Sequence, residues 1–165
     1  MIFFTRSMCC LDSAASVDKL LLMILAASSG RTDNVSISGD VLTDIIKICQ
    51  KNNIRLIGSG RTYNRCGRQE LDVSKYNIES TIDKLTVPGT CELIKNSIGI
   101  ITCHSSLNIL AWKMRKPQLL LYPETEYEEF IKHKTRWAFG IDYPETFHGL
   151  FNSYEILLDK FIETL

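Results

Sequence analysis

Apolar and polar residues follow two distinct patterns along the chain. Over residues 41–49 and 154–165 the apolar side chains recur at helical spacing, so each segment predicts a helix with one face against a core. Residues 54–57 and 118–122 are short runs dominated by apolar side chains, which indicates strands buried within a sheet. Helices and buried strands of this kind together favour the α/β fold class.

Weaker signals extend this pattern. Residues 16–25 predict a buried helix, and Pro88 predicts the first turn of a helix that leads into a strand over 98–102. A further helix over 106–114 ends before Pro117. The remaining expectations are a strand over 2–4, loops over 28–38 and 61–76, a charged helix over 126–134 and a strand over 137–141.

The order of these elements predicts the topology. A strand, a helix and a second strand follow one another twice, and such crossings produce parallel sheets. We expect a single Rossmann-like domain over residues 1–165, with a mostly parallel sheet of five or six strands and helices on both faces. A chain of 165 residues can bury one core of ordinary size and is too short for two full nucleotide-binding domains.

Composition and charge argue against several function classes. Lys plus Arg and Asp plus Glu both number 19, and the resulting zero net charge argues against a nucleic-acid partner. The six cysteines form no C-x-x-C pair and have no histidines at metal-site spacing, so we expect no metal, no cofactor and a reducing compartment. The most apolar run, residues 20–27, is too short to span a bilayer. These features predict a cytoplasmic protein without a membrane span.

The sequence His104-Ser105-Ser106 joins a predicted strand directly to a predicted helix. The first N–H groups of a helix have no intrahelical partner and carry partial positive charge, so a phosphate or carboxylate fits there. The two serine hydroxyls could add donors to a bound phosphate, and Asn108 in the first turn of the same helix joins the candidate site. The alternative is that a serine simply caps the helix. The sequence leaves both interpretations open.

Two further loops are expected at the same edge of the sheet. In open α/β sheets, ligands bind outside the carboxyl ends of the strands. That rule places Gly58-Ser59-Gly60-Arg61, which follows one predicted strand, and Glu124, which follows another, near the helix start. Arg61 could reach an anion, and Glu124 could accept hydrogen bonds from a ribose. The alternative is that both side chains lie in ordinary solvated loops.

The segment from Pro88 to Pro123, P-G-T-C-E-L-I-K-N-S-I-G-I-I-T-C-H-S-S-L-N-I-L-A-W-K-M-R-K-P-Q-L-L-L-Y-P, resembles the donor-binding half of a GT-B glycosyltransferase. It is most similar to the heptosyltransferase-type family, which uses ADP-heptose. In that family a helix and a strand precede a polar turn of the type D-[ST]-G-x-x-H, and a second helix ends in Lys-Pro before the next strand. Here His104 stands where the family usually has Asp, and Ile109 replaces the usual His.

The resemblance implies a nucleotide-sugar ligand whose diphosphate is held by Ser105, Ser106 and the amides of their helix, with His104 as the candidate catalytic residue. It also implies that the chain corresponds to the C-terminal half of a two-domain enzyme. The acceptor site and the catalytic base would then come from a separate acceptor-binding domain or from a second copy of the chain in a homo-oligomer.

Two other functions remain open from the residues. The chain could be a binding module that captures a nucleotide or nucleotide-sugar without chemistry, and its length favours that function. Cys103 and His104 could also act as nucleophile and base, but adjacent residues of a strand point to opposite faces and could not readily pair.

Overall fold

The computed structural model describes residues 19–24, 39–60, 76–103, 105–122, 127–128 and 146–165. The strands in these ranges are β1 (Lys19–Ile24), β2 (Ile54–Ser59), β3 (Glu79–Ser80), β4 (Gly99–Thr102), β5 (Gln118–Tyr122) and β6 (Thr146–Leu150). The helices are α1 (Gly39–Lys51), α2 (Val87–Asn96), α3 (Ser106–Lys113) and α4 (Tyr154–Glu163). A short 3-10 turn, Phe151–Ser153, joins β6 to α4.

The strands form one sheet in the order β3-β2-β1-β4-β5-β6, and every neighbouring pair is parallel. The chain builds outward from β1 to β3 on one side and then from β4 to β6 on the other. The strand order therefore reverses between β1 and β4. The prediction of an α/β fold with a parallel sheet of five or six strands is confirmed.

Helices cover both faces of this sheet, as predicted. On one face α1 and α4 pack against the sheet through a core that includes Leu42, Ile101, Leu119 and Phe161. On the other face α2 and α3 pack through a smaller core of Ile57, Ile94, Ile100 and Ala111. Ile100 and Ile101 belong to different cores because successive residues of a strand point to opposite faces.

The helix expected over residues 16–25 is wrong, because Lys19–Ile24 forms strand β1. The sequence of β1, KLLLMI, is apolar almost throughout. Such a run has no period that separates a buried helix from a buried strand. The strand pairs with β2 on one side and β4 on the other, and strands inside a parallel sheet typically read as continuous apolar runs.

The remaining predictions divide into those confirmed and those outside the described residues. Helices α1 to α4 and strands β2, β4 and β5 lie where the pattern predicts them, within a few residues at each end. The segments 2–4, 28–38, 61–75 and 137–141 lie outside the described residues, as does most of 126–134. Among the helices of the described ranges, none is both long and apolar enough to cross a membrane.

Strands β3 and β6 were not predicted from the sequence. Strand β3 has only two residues, Glu79 and Ser80, so it carries no detectable pattern. Strand β6 reads T-F-H-G-L, and Gly149 weakens its strand signal. A Cβ atom on Gly149 would lie 2.5 Å from Leu157 Cδ1 of α4, so this glycine lets the last helix approach the edge strand closely.

The end of α3 is fixed by its own backbone and by a lysine. Arg115 adopts a left-handed conformation with φ 56°, and the N–H of Lys116 donates to the carbonyl of Ala111 at 2.9 Å. This is the Schellman pattern that ends a helix, and Pro117 follows it. The Lys116 ammonium group also donates to the carbonyl of Ser97 at 2.7 Å. The end of α3 is thereby tied to the end of α2, which fixes the direction of α3 on the sheet.

Candidate functional site

The start of α3 is a capping box built from two side chains. Ser105 is the N-cap residue, with φ −155° and ψ 170°, and its hydroxyl accepts a hydrogen bond from the N–H of Leu107 at 3.3 Å. The Asn108 side chain reaches back, and its Oδ1 accepts the N–H of Ser105 at 3.0 Å. Asn108 is 1% exposed, so its side chain lies beneath the surface, and the bond to the half-buried Ser105 is part-buried. The interpretation of a serine as helix cap is therefore confirmed for Ser105.

Capping does not use all of the donors at the start of α3. A helix leaves its first four N–H groups without intrahelical partners. The cap engages those of Ser105, Leu107 and Asn108, while that of Ser106 lies outside it. Ser106 is exposed, and the dipole of α3 adds partial positive charge at this end. The helix start can therefore be capped and still present the N–H of Ser106 to an anion.

The ends of three central strands lie level with one another beside this helix start. Ile24, the last residue of β1, pairs with Ser59 of β2 on one side and with Thr102 of β4 on the other. The chain passes from Thr102 to the Ser105 cap within three residues. Because the strand order reverses between β1 and β4, α3 begins at the crevice where sheets of this order bind their ligands.

The glycines at the end of β2 brace a neighbouring segment. The strand was predicted to end at Ile57, but it continues through Gly58 and Ser59. The carbonyl of Gly58 accepts hydrogen bonds from the N–H of Thr81 at 2.8 Å and from its hydroxyl at 3.2 Å. The carbonyl of Gly60 accepts the N–H of Asp83 at 3.1 Å.

Gly60 is distinguished by its backbone conformation and Ser59 by its burial. Gly60 has φ 137°, a conformation that favours glycine. Ser59 is 2% exposed, so its hydroxyl lies beneath the surface of the strand end. The end of β2 is thus held by hydrogen bonds to the neighbouring segment and borders the crevice. It lies at the same edge of the sheet as Ser105 and Ser106, as the sequence predicted.

Three of the candidate residues lie outside the described part of the chain. They are Arg61, His104 and Glu124. Chain connectivity places each one directly beyond or close beyond the carboxyl end of a strand, namely β2, β4 and β5. Their roles stay predictions.

An aromatic cluster, defined as Tyr122, Tyr127 and His148, also lies at this edge of the sheet. The ring centroids of Tyr122 and Tyr127 are 5.9 Å apart at an interplanar angle of 48°. Those of Tyr127 and His148 are 6.0 Å apart at 39°, and the Tyr127 hydroxyl lies 3.3 Å from His148 Nδ1. The cluster was not evident from the sequence because strand β6, which carries His148, was not predicted.

No cluster of metal-ligating side chains lies within the described part of the chain. Within those ranges, no group of three or more His, Cys, Asp or Glu side chains could hold a metal ion. The described residues thus supply no donor set for a metal at the α3 start.

Known proteins match this chain in structure and not in sequence. No protein-family model matches it, and no curated protein matches it significantly. The heptosyltransferase WaaC of E. coli, solved with ADP, matches with a TM-score of 0.62 at 10% identity, over 87% of this chain and 45% of its own.

A second heptosyltransferase gives a shorter match. The iron-containing dodecameric glycosyltransferase TibC of enterotoxigenic E. coli H10407 matches with a TM-score of 0.53 at 17% identity, over 63% of this chain and 27% of its own. TibC solved in complex with ADP-D-β-D-heptose gives the same TM-score at 16% identity. The chain spans less than half the length of each of these proteins. Taken together, the sheet order and these matches show that the chain has a glycosyltransferase-like α/β fold.

Proposed function

We propose that this chain binds a nucleotide-sugar diphosphate, such as ADP-heptose, at the N-terminus of α3 and transfers the glycosyl group when a second domain completes the site. The observation that carries the proposal is the position of α3, whose capped start adjoins the crevice between β1 and β4 in a glycosyltransferase-like fold. Diphosphates are the ligands that such helix starts bind in α/β proteins.

In the proposed reaction the start of α3 interacts with the diphosphate in both the ground state and the transition state. In the ground state the amide of Ser106 and the helix dipole hold the diphosphate. In the transition state the bond between the anomeric carbon and the diphosphate oxygen breaks, and the electron pair of that bond moves onto the leaving nucleoside diphosphate. Donors that already face this group stabilise the added charge without reorganisation. An acceptor hydroxyl forms the new glycosidic bond and loses its proton to a base.

The remaining candidates take supporting roles in this proposal. His104, between β4 and the α3 cap, neutralises charge on the phosphates and is the catalytic candidate of the chain. Arg61, beyond the end of β2, neutralises charge from the other side of the crevice. Glu124, beyond β5, accepts hydrogen bonds from the nucleotide-sugar. Gly58, Ser59 and Gly60 act by shape, since the carbonyls of both glycines are already engaged with residues 81–83.

The known structures support the choice of ligand and the need for completion. One neighbour was solved with ADP and another with ADP-D-β-D-heptose. Both are more than twice as long as the part that this chain matches, so we propose that the acceptor site and the base come from a further domain or from another copy of the chain. Iron, present in TibC, is not part of the proposed step.

A nucleotide-sugar binding module without chemistry is the second candidate. The observation that favours it is that the capped start of α3 and the adjoining crevice, which are all that binding needs, both lie within the described residues. Incubation with ADP- and UDP-sugars separates the two functions. Release of nucleoside diphosphate above the uncatalysed rate supports transfer, and binding without release, also when an acceptor-binding domain is supplied, supports the module.

The binding site itself is tested at Ser105, where a matched pair of substitutions is available. Asp and Asn are both good N-cap residues, so Ser105→Asp and Ser105→Asn should keep the cap and the melting temperature. Only the aspartate places a negative charge against the diphosphate. We expect Ser105→Asp to weaken nucleotide-sugar binding in calorimetry at least about tenfold, while Ser105→Asn stays within about threefold of the wild type. Equal affinities for the two variants would refute the site.

A further inference from the structure

The aromatic cluster lies on the same face of the sheet as α3. Leu120 of β5 pairs with Thr102 of β4 and also with His148 of β6, so these three residues lie side by side. Tyr122 is two residues beyond Leu120 and therefore faces the same way. Thr102 shares its face with Ile100, which packs against α2 and α3. The cluster consequently flanks the start of α3 on the side of β5 and β6.

The distance between the cluster and the helix start is short. Leu120 is level with the end of β4, so Tyr122 is level with the turn that enters α3. Neighbouring strands are about 4.8 Å apart, which puts β5 one spacing and β6 two spacings from β4. A ring attached to a phosphate at the start of α3 could therefore reach the cluster.

The chemistry of the cluster fits a ring-shaped ligand. Tyr127 and His148 are half-buried, so part of each ring remains open to contact. The hydrogen bond between the Tyr127 hydroxyl and His148 Nδ1 holds both rings in one orientation. Rigid aromatic surfaces lose little entropy when a ligand packs on them, and pockets for small molecules are lined largely by such side chains.

The two ends of a nucleotide-sugar must lie on opposite sides of its diphosphate. Sheets with this strand order bind dinucleotides across the crevice, and the ribose next to the helix after β1 is held at the end of the strand that follows β1. Here that strand is β2, on the far side of β1 from α3. A diphosphate at the start of α3 then directs its other substituent toward β5 and β6, where the aromatic cluster lies.

We infer that the aromatic cluster is the surface on which the sugar ring of the donor packs, with Tyr127 and His148 in contact with it. This inference rests on the proposed nucleotide-sugar function and adds the residues that recognise the sugar. The aromatic rings contact the C–H groups of the sugar, and the His148 and Tyr127 polar atoms lie at the margin of that contact.

The test compares a ligand that has the sugar with one that lacks it. Calorimetric affinities for ADP-D-β-D-heptose and for ADP are measured on the wild type and on Tyr127→Leu, which removes one ring. We expect Tyr127→Leu to weaken ADP-D-β-D-heptose binding about five- to tenfold and to leave ADP binding unchanged. Tyr127→Phe keeps the ring and should bind both ligands like the wild type. Tyr154→Leu, which removes a tyrosine ring from the opposite face, should also leave both affinities unchanged.

Each outcome separates the inference from the function on which it rests. Unchanged sugar-nucleotide affinity in Tyr127→Leu, or an equal loss for both ligands, overturns the inference and leaves the nucleotide site standing. A wild type that binds neither ligand overturns the proposed function and the inference together. Should Tyr127→Leu lack a cooperative melting transition, His148→Leu removes the neighbouring ring and takes its place with the same expected result.

Discussion

Asn108 shows how much a single residue contributes to the start of α3. Its buried side chain supplies the acceptor for the N–H of Ser105. We expect Asn108→Ala to lower the free energy of unfolding by about 1–3 kcal/mol, because a part-buried N–H loses its partner. Urea denaturation followed by circular dichroism measures this loss.

The neighbouring Ser106 provides the control for that prediction. It is exposed and lies outside the capping box, so Ser106→Ala should change the free energy of unfolding by no more than about 0.5 kcal/mol. A similar cost for the two substitutions would contradict the role given to Asn108. The same contrast explains what the sequence could provide at this scale: the Ser-Ser helix start is a local signal, whereas the burial of Asn108 depends on packing that no local signal contains.

Between elements, Tyr154 and Asp44 join the last helix to the first. The Tyr154 hydroxyl donates to Asp44 Oδ2 at 2.8 Å, and Lys47 lies 3.3 Å from the other oxygen of the carboxylate. The bond from Tyr154, followed by that from Lys47, lowers the pKa of Asp44 below 3.8. The same bond to Asp44, with a smaller contribution from burial, raises the pKa of Tyr154 from 10.0 to about 12.

These two shifts predict a pH window for the contact between α1 and α4. Asp44 favours folding fully above 3.8, and its contribution is lost as the pH falls through its lowered pKa. Tyr154 favours folding below 10.0, and its contribution is lost as the pH rises toward about 12. Tyr154→Phe should therefore lower the melting temperature at pH 7, and the difference from the wild type should shrink toward both limits.

A second tyrosine distinguishes this effect from the loss of any hydroxyl. Tyr76 donates to the carbonyl of Gly39 at 3.2 Å, and a carbonyl does not titrate. The deficit of Tyr76→Phe should therefore persist in acid, where that of Tyr154→Phe shrinks. Melting curves of both variants between pH 3 and pH 7 provide the comparison, and parallel pH profiles would count against the Asp44 contact.

Element prediction from the sequence succeeded where a period was present. Helix α1 carries Leu42, Ile45 and Cys49 on one buried stripe, and its bounds follow from that spacing. Strand β1 lacks any period, so its length and flanks suggested a helix. Strand β6 is stabilised by pairing with β5, which is distant in sequence order, and by the close approach of α4 at Gly149, and its own residues do not reveal either contact.

For the whole molecule, the sequence predicted which loops meet at the carboxyl edge of the sheet, but not the order of the strands. Parallel strands joined by helices place their carboxyl ends at one edge, so Ser59 and Ser105 could be assigned to the same edge without coordinates. The position of β1 between β2 and β4 could not be predicted, because β1 itself was taken for a helix. The crevice between β1 and β4 therefore became evident only in the structure.

The main core joins both halves of the sheet to α1 and α4. We therefore expect two of its cysteines to be protected from alkylation together. Cys49 of α1 and Cys103 after β4 are fully buried in this core, and burial raises the pKa of the Cys49 thiol to about 12. Because the thiolate is the reactive form, iodoacetamide should alkylate both only when the core opens. Cys91 on α2 is half-buried and outside this core, so it should react earlier.

Peptide mass spectrometry after alkylation in increasing urea measures this protection residue by residue. If the two halves of the sheet unfold together, Cys49 and Cys103 share one opening free energy and one urea dependence, equal to those of global unfolding. A lower opening free energy at Cys103 alone would show instead that the carboxyl edge of β4, next to the α3 start, opens while the core around α1 stays closed. A ligand bound at that edge should then raise the protection of Cys103 and leave that of Cys49 unchanged, since it would stabilise only the closed form of the local unit.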